Sequence, residues 1–211
     1  MNAALLLALL LALPTTPAAP MKPARPKPGA PAAAPAPRRA SAPPLADSLL
    51  SQAEAVAWLG GPLEDTFQQE EEASAENGHD HMTVRGWYPK GWNPQTADAP
   101  PDRAIQAVVH AFADTAGAER FYGFIHTRDE RSVQAAEGPF AGFLVRTLEG
   151  VADAAHVKHG DLPGKGGGKV SLATLSFLRG RTFVQMQVWM ADGSAVERAT
   201  RAAKEMSAKL E

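Results

Sequence analysis

The stretch from Val170 to Met190, VSLATLSFLRGRTFVQMQVWM, has the pattern of two long strands joined by a tight turn. Successive side chains of a strand point to opposite faces, so the alternation decides which residues share a face. With Arg179 and Gly180 as a two-residue loop, Phe177 is expected opposite Thr182. Gly180 would supply the positive φ that a tight hairpin turn requires. The stretch therefore predicts a β-hairpin.

The predicted hairpin has two chemically different faces. The face that we call the apolar face consists of Ala173, Leu175, Phe177, Val184, Met186 and Val188. The other, the mixed face, carries Thr174, Ser176, Gln185 and Gln187 in its middle, with Phe183 and Trp189 toward its ends. We expect the apolar face to form the floor of the core under a helix, and the mixed face to be only partly covered.

The chain begins with an apolar run, AALLLALLLAL, at residues 3–13. A bilayer span needs roughly 20 apolar residues, so this run is too short to cross a membrane but has the size of a signal-peptide core. We interpret residues 1–19 as a signal-peptide-like segment and expect an extracytoplasmic location, periplasmic or secreted. The chain has no cysteine, which rules out a lipid anchor on an N-terminal cysteine.

Residues 20–44 are almost entirely Pro, Ala, Lys and Arg, a composition typical of an extended, disordered tether. Five of the 21 Lys and Arg residues lie in it and none of the 23 Asp and Glu residues, so the rest of the chain has a net charge of −7. A nucleic-acid-binding domain would instead present a basic face, and nucleic acid is therefore not a predicted partner.

Residues 45–211 have the length of one globular domain. Ser51 and Glu54 predict a capped helix with Ala53, Val56 and Leu59 on one face, ending at Gly60-Gly61-Pro62. The further predicted elements, in order, are strands 63–68, 82–88 and 104–112, a helix over 115–126, strands 143–148 and 154–158, the hairpin, and a helix that Ser194 and Glu197 would cap. The acidic segment from Glu70 to His81 is predicted to be an exposed loop.

These elements follow the order α-βββ-α-ββββ-α. Strands that mostly succeed one another without helical crossovers favour an antiparallel sheet. The sequence therefore predicts the α+β class, with a mainly antiparallel sheet of six to seven strands and flanking helices.

Four segments, LLSQAEAVAWLGGP, FADTAGAERFYGFI, LEGVADAAHV and LSFLRGRTFVQMQV, occur in this order along the domain. Together they resemble a loose class of exported bacterial lipoproteins and sensor-like extracytoplasmic domains, most of them without an assigned activity. The resemblance implies an antiparallel sheet with flanking helices outside the cytoplasm, and it gives no catalytic residues. This chain departs from the class in lacking an anchoring cysteine and in having Ala152 where glycine is common.

The triplet His79-Asp80-His81 is the most ligand-like sequence in the chain, because imidazole and carboxylate groups suit divalent transition metals. In an extended segment both histidines would point the same way, and Met82 could add a ligand. The alternative is a solvated acidic loop, since a metal site needs three or four placed ligands.

A second candidate surface is aromatic. The segment GWYPKGWNP places Trp87, Tyr88 and Trp92 at the end of a strand, where such rings can stack on a ligand or cover the edge of the sheet. The predicted binding surface combines them with part of the mixed face: Trp87, Tyr88, Trp92, Phe183, Gln185, Gln187 and Trp189.

The sequence contains no recognised catalytic motif. A thiol nucleophile and a Gly-x-Ser-x-Gly elbow are absent, and the glycine-rich loop from Pro163 to Gly168 lacks the spacing of a P-loop. The local pairs Asp153 with His156 and Asp114 with His110 have no nucleophile beside them. We therefore predict an exported non-enzymatic module that binds a small ligand or an envelope protein, without a cofactor. The alternative is a metal-binding protein or metal-dependent hydrolase that uses His79, Asp80 and His81.

Overall fold

The computed structural model describes residues 45–74, 78–93, 97–134 and 140–210. The predicted signal-like segment and tether, residues 1–44, lie outside these residues. Within the described part of the chain, no helix combines the length and apolar character needed to cross a membrane.

The described residues form four α-helices and seven β-strands. The helices are α1 (Leu45–Leu49), α2 (Gln52–Leu59), α3 (Thr115–Gln134) and α4 (Ala195–Ala208). The strands are β1 (Glu64–Ser74), β2 (His79–Tyr88), β3 (Arg103–Phe112), β4 (Leu144–Thr147), β5 (Ala154–Pro163), β6 (Lys169–Arg179) and β7 (Thr182–Met190).

The seven strands form a single sheet in the order β1-β2-β3-β7-β6-β5-β4, and every neighbouring pair is antiparallel. Each half is a meander, and the halves join where β3 pairs with β7. Helix α3 crosses from β3 at the centre to β4 at the edge. The predicted α+β class, with an antiparallel sheet and flanking helices, is confirmed.

The predicted hairpin is present, but its register differs from the prediction by two residues. Phe177 lies opposite Val184 rather than Thr182, and the loop is Gly180-Arg181 rather than Arg179-Gly180. Gly180 has φ of +55°, and no described non-glycine residue has a positive φ, as expected for a turn with glycine in its first loop position. A two-residue shift preserves alternation, so both predicted faces are retained.

The apolar face forms the floor of the main core, as predicted. Helix α4 lies against it, and its alanines bring the helix close to β6 and β7; α1 packs on β2 and β3, and α2 on β3 and α4, on the same side of the sheet. Two contacts tie α2 to α4: Trp58 Nε1 donates to Glu205 Oε2 at 2.7 Å, and Arg198 Nη1 donates to the Trp58 carbonyl at 2.8 Å. The three helices therefore cover one side of the sheet.

The predicted exposed loop from Glu70 to His81 is wrong. Strand β1 continues to Ser74 and β2 begins at His79, so these two strands form a long hairpin whose residues 75–77 lie outside the described part. Backbone pairing with β2 therefore outweighs the low strand propensity of the acidic residues.

The predicted capping box is present at the start of α2 and absent at the start of α4. The Ser51–Glu54 capping box is present and α2 ends at Leu59, but the buried side of α2 is Ala55, Trp58 and Leu59 rather than the predicted face. Ser194 does not form the predicted box in α4, because its hydroxyl instead donates to Asp192 Oδ1 at 2.6 Å.

Candidate binding site on the mixed face

The mixed face is covered, contrary to the prediction that it would be partly open. Gln185 and Gln187 are each only 5% exposed, and Phe183 and Trp189 are buried as well. The cover is α3, which continues to Gln134 instead of ending at His126 and packs against β3, β6 and β7. The polar side chains of this face therefore lie inside the protein.

Cross-strand pairing gathers these polar groups into two adjacent rows. In one row Lys158 lies beside Thr174, Thr174 beside Gln187, and Gln187 beside Gln106; in the other, His156 lies beside Ser176 and Ser176 beside Gln185. We call this set the polar strip: Gln106, His156, Lys158, Thr174, Ser176, Gln185 and Gln187. All seven are buried.

Helix α3 contributes a carboxylate to one end of the polar strip. Asp129 is fully buried and accepts hydrogen bonds from Lys158 Nζ at 2.8 Å and from His156 Nε2 at 3.2 Å. Burial alone would raise the pKa of Asp129, but the hydrogen bond from His156 and the charge of Lys158 outweigh it and hold that pKa below its usual value. The two charges neutralise each other and fasten α3 to the sheet.

Hydrogen bonding along the polar strip is incomplete. Gln185 Nε2 donates to Ser176 Oγ at 3.1 Å, and the Tyr88 hydroxyl donates to Gln106 Oε1. Thr174 Oγ1 and Gln187 Oε1, by contrast, are buried and have no hydrogen-bond partner among the described residues. Buried polar atoms are almost always paired, so these two neighbouring oxygens are candidates for a hydrogen bond to water or to a ligand.

Three aromatic rings border the polar strip on the side of Gln106. Tyr88 stacks on Trp92 with ring centroids 4.8 Å apart, and Trp189 lies 6.5 Å from Tyr88. We call these rings the aromatic shelf. Gly86 makes it possible, because a Cβ at that position would lie 2.5 Å from the Tyr88 ring. Trp92 is the partly exposed member, and its indole donates to the Ala99 carbonyl at 3.2 Å.

Trp87 lies apart from the other predicted binding residues. Its side chain belongs to the core on the apolar face, where Nε1 donates to the Leu50 carbonyl at 2.9 Å. Tyr88, the next residue, points to the mixed face because side chains alternate along a strand. The structure therefore brings Tyr88, Trp92 and Trp189 together beside Gln187. It places Phe183 at the other end of the mixed face, beyond Gln185 and against Phe121 and His110, and it separates Trp87 from all of them.

The triplet His79-Asp80-His81 is also divided. A β-bulge between His79 and His81 shifts their pairing with β3, so His79 lies against His110, while His81 follows the alternation of Thr83 on the apolar side. Among the described residues, no group of three His, Cys, Asp or Glu side chains is arranged to hold a metal. The expectation that both histidines point one way is wrong.

His79 and His110 are instead enclosed near the aromatic rings of Phe112, Phe121 and Phe183. Burial, followed by the nearby His79, lowers the pKa of His110 to about 3. His110 is therefore a neutral imidazole at physiological pH.

Sequence reasoning missed the residues that complete the polar strip on β5 and α3. His156 hydrogen-bonds to Asp129 rather than to the candidate partner Asp153, which instead accepts from Arg179 Nη1 at 2.9 Å. Asp114, the candidate partner of His110, accepts a hydrogen bond from the Gly117 backbone N–H at 2.6 Å. Two features of the sequence could have indicated these residues. His156 and Lys158 are two positions apart in a predicted strand and therefore share a face, and Asp129 lies in a helix that must pack on the sheet.

Comparison with known proteins gives limited information. No protein-family model and no curated protein matches the chain. The structure is similar to the crystal structure of the extracellular domain of PknH from Mycobacterium tuberculosis, with a TM-score of 0.49, 13% sequence identity, and coverage of 78% of this chain and 93% of that chain. At this TM-score and identity, the likeness does not assign a function to the chain.

Proposed function

We propose that the chain is an exported, non-enzymatic binding module whose ligand occupies the polar strip beside the aromatic shelf. One observation carries this proposal: Thr174 Oγ1 and Gln187 Oε1 are adjacent, buried and without a partner among the described residues. Each such atom costs about 1–3 kcal/mol of stability, a cost that a ligand hydrogen bond would recover.

The chemistry of the polar strip favours a neutral, hydroxyl-rich ligand such as a saccharide or cyclic polyol. The charge of Lys158 is balanced by Asp129 of α3, whose carboxylate also lies 3.7 Å from Arg128 Nη2. The remaining groups of the polar strip are amides, hydroxyls and an imidazole. A sugar hydroxyl can both donate and accept, and a sugar ring can stack on the partly exposed Trp92. The Tyr122 hydroxyl of α3 lies 3.2 Å from His156 Nδ1, and burial raises the pKa of this phenol to about 12.

Export is supported by residues 3–13, whose length matches a signal-peptide core, and by the extended composition of residues 20–44. In this proposal, residues 20–44 form a tether that holds the binding domain, residues 45–211, away from the cell envelope, or the domain is released. N-terminal sequencing of the mature protein from its native host tests this part, and an intact Met1 would overturn it.

The binding proposal is tested by NMR with full-length protein and neutral probes, namely glucose and trehalose. We expect the side-chain amide signal of Gln187 and the indole signals of Trp92 and Trp189 to shift, and the indole signal of Trp87 to remain unchanged. The Gln187→Met variant identifies the amide and should lose the response. If only charged probes such as glutamate or phosphate shift these signals, the ligand class is wrong; if no probe does, the site itself is wrong.

A further inference from the structure

Helix α3 covers the mixed face, and its two ends are held on the sheet by different kinds of contact. The first part of the helix packs through apolar and aromatic side chains: Ala118, Phe121, Tyr122 and Ile125. The last two turns are residues 127–134, and Asp129 is the only buried residue among these eight. Val133 is partly buried and packs against the cluster that contains Trp189. The last two turns are therefore fastened mainly by one carboxylate.

The partners of this carboxylate lie on β5 and do not depend on it alone. Lys158 Nζ, which donates to Asp129 Oδ1 at 2.8 Å, also lies 4.1 Å from the centre of the Phe140 ring. A cation over an aromatic ring is attracted to its face. If Asp129 moves outward into water, Lys158 keeps this aromatic contact and gains water, so neither charge is left buried and unpaired. This ion pair can therefore separate without disrupting the sheet.

The ion pair lies beside the two oxygens that carry the proposed ligand site. Lys158 is the cross-strand neighbour of Thr174, and Thr174 is the neighbour of Gln187. Thr174 and Gln187 are only 3% and 5% exposed, so a ligand reaches them only after part of the cover has moved. The last two turns of α3 are the part of the cover that is attached to the polar strip itself, through Lys158 and His156.

We propose that residues 127–134 form a lid over the polar strip and that the ion pair of Asp129 with Lys158 is its latch. This inference rests on the proposed ligand site and concerns the regulation of access to it. When the latch opens, the lid leaves the sheet, while the first part of α3 stays in place on its apolar contacts. Ligand enters during these openings, so its rate of association follows the population of the open state.

Native-state hydrogen exchange of the full-length protein, without ligand and in low concentrations of urea, tests the lid directly. In the wild type, the backbone amides of residues 131–134 should exchange faster than those of β7. Their exchange should also depend less on urea, because a local opening exposes little surface. Equal rates and equal urea dependence for the lid and β7 would overturn the proposal, and this measurement needs no variant.

Variants test whether the charge pair is the latch. Asp129→Asn should speed exchange of the lid amides by about 100-fold or more, as expected for breaking a buried ion pair, and leave β7 little changed. The double variant Asp129→Leu/Lys158→Met should restore slow exchange, because no charge then needs water. Glu130→Gln is the matched control: its carboxylate lies on the same turns, 3.8 Å from His126 Nε2 and half exposed, so the change should stay below about fivefold.

The gate is tested by NMR line shapes during titration with glucose and trehalose. Asp129→Asn should raise the association rate constant about tenfold or more, because the open state is more populated, whereas Glu130→Gln should leave it unchanged. An unchanged rate constant in Asp129→Asn, or faster exchange spread evenly over the whole domain, would overturn the proposal and make Asp129 a purely structural residue. If neither sugar binds either protein, the proposed ligand site fails, whereas the exchange pattern still decides for or against the lid.

Discussion

Replacing Asp129 by leucine should be among the most damaging single changes to this domain. The substitution leaves the ammonium of Lys158 buried without its counter-charge and removes the acceptor of His156 Nε2. Breaking a buried ion pair by removing one partner costs about 3–5 kcal/mol. For a domain of about 150–250 residues, each kcal/mol corresponds to roughly 2–4 °C, so Tm should fall by roughly 6–20 °C.

The measurement is urea unfolding of the full-length protein, followed by tryptophan fluorescence, with a thermal scan alongside. The double variant Asp129→Leu/Lys158→Met should regain most of the lost stability, because no unpaired charge then remains buried. Asp161→Asn is the control: its partner Lys169 is 3.6 Å away and both groups are exposed, so less than about 1 kcal/mol should be lost.

A loss below about 1 kcal/mol for Asp129→Leu would refute this reasoning, because the carboxylate would then be solvated and α3 would not be fastened to the sheet through it. A double variant no more stable than the single one would likewise contradict the assignment of Lys158 as the stranded charge.

Three further predictions concern glycine, tryptophan and acid. Gly86→Ala should destabilise the domain, because its Cβ would lie 2.5 Å from a buried tyrosine ring; Gly123→Ala, with nothing within 4 Å in a helix, should stabilise it by about 0.5–1 kcal/mol in urea unfolding. Trp87→Ala should cost about 3–5 kcal/mol by calorimetry, as a core truncation, whereas the partly exposed Trp92→Ala should cost far less. The folded-state pKa of Asp129 lies below 3.8, so its stabilising contribution is present above that pH and lost as the pH falls. In urea unfolding at a series of pH values below about 4, wild type should therefore lose stability more steeply than Asp129→Asn.

The sequence was sufficient for the class and for both faces of the hairpin, because side-chain alternation in β6 and β7 is a local property. It did not determine the register, since Arg179-Gly180 and Gly180-Arg181 loops preserve the same alternation and only the observed turn decides between them. The acidic composition of the end of β1 favours a loop, but strand propensity is weak evidence where a partner strand supplies the hydrogen bonds.

The candidate site was only half predictable. The position of Gln185 and Gln187 between Phe183 and Trp189 predicts a binding surface, but the sequence of the hairpin does not show that α3 covers these two side chains. Asp129 is 27 residues from His156 along the chain, and sequence spacing carries no information about such a contact. Trp87 and Tyr88 were grouped because they are adjacent, although adjacency in a strand places two side chains on opposite faces.

Two glutamines on β7 offer the most direct test of the central claim. The claim is that the polar strip contains buried atoms without hydrogen-bond partners because a ligand is to supply those hydrogen bonds. Gln185 and Gln187 lie on the same face and are equally buried, yet Gln185 donates to Ser176 whereas Gln187 Oε1 has no partner among the described residues. In urea unfolding without ligand, Gln185→Met should lose about 1–3 kcal/mol, because it strands a buried hydroxyl, while Gln187→Met should be neutral or more stable than wild type. Equal destabilisation by the two substitutions would contradict the account, because Gln187 would then be a satisfied structural residue.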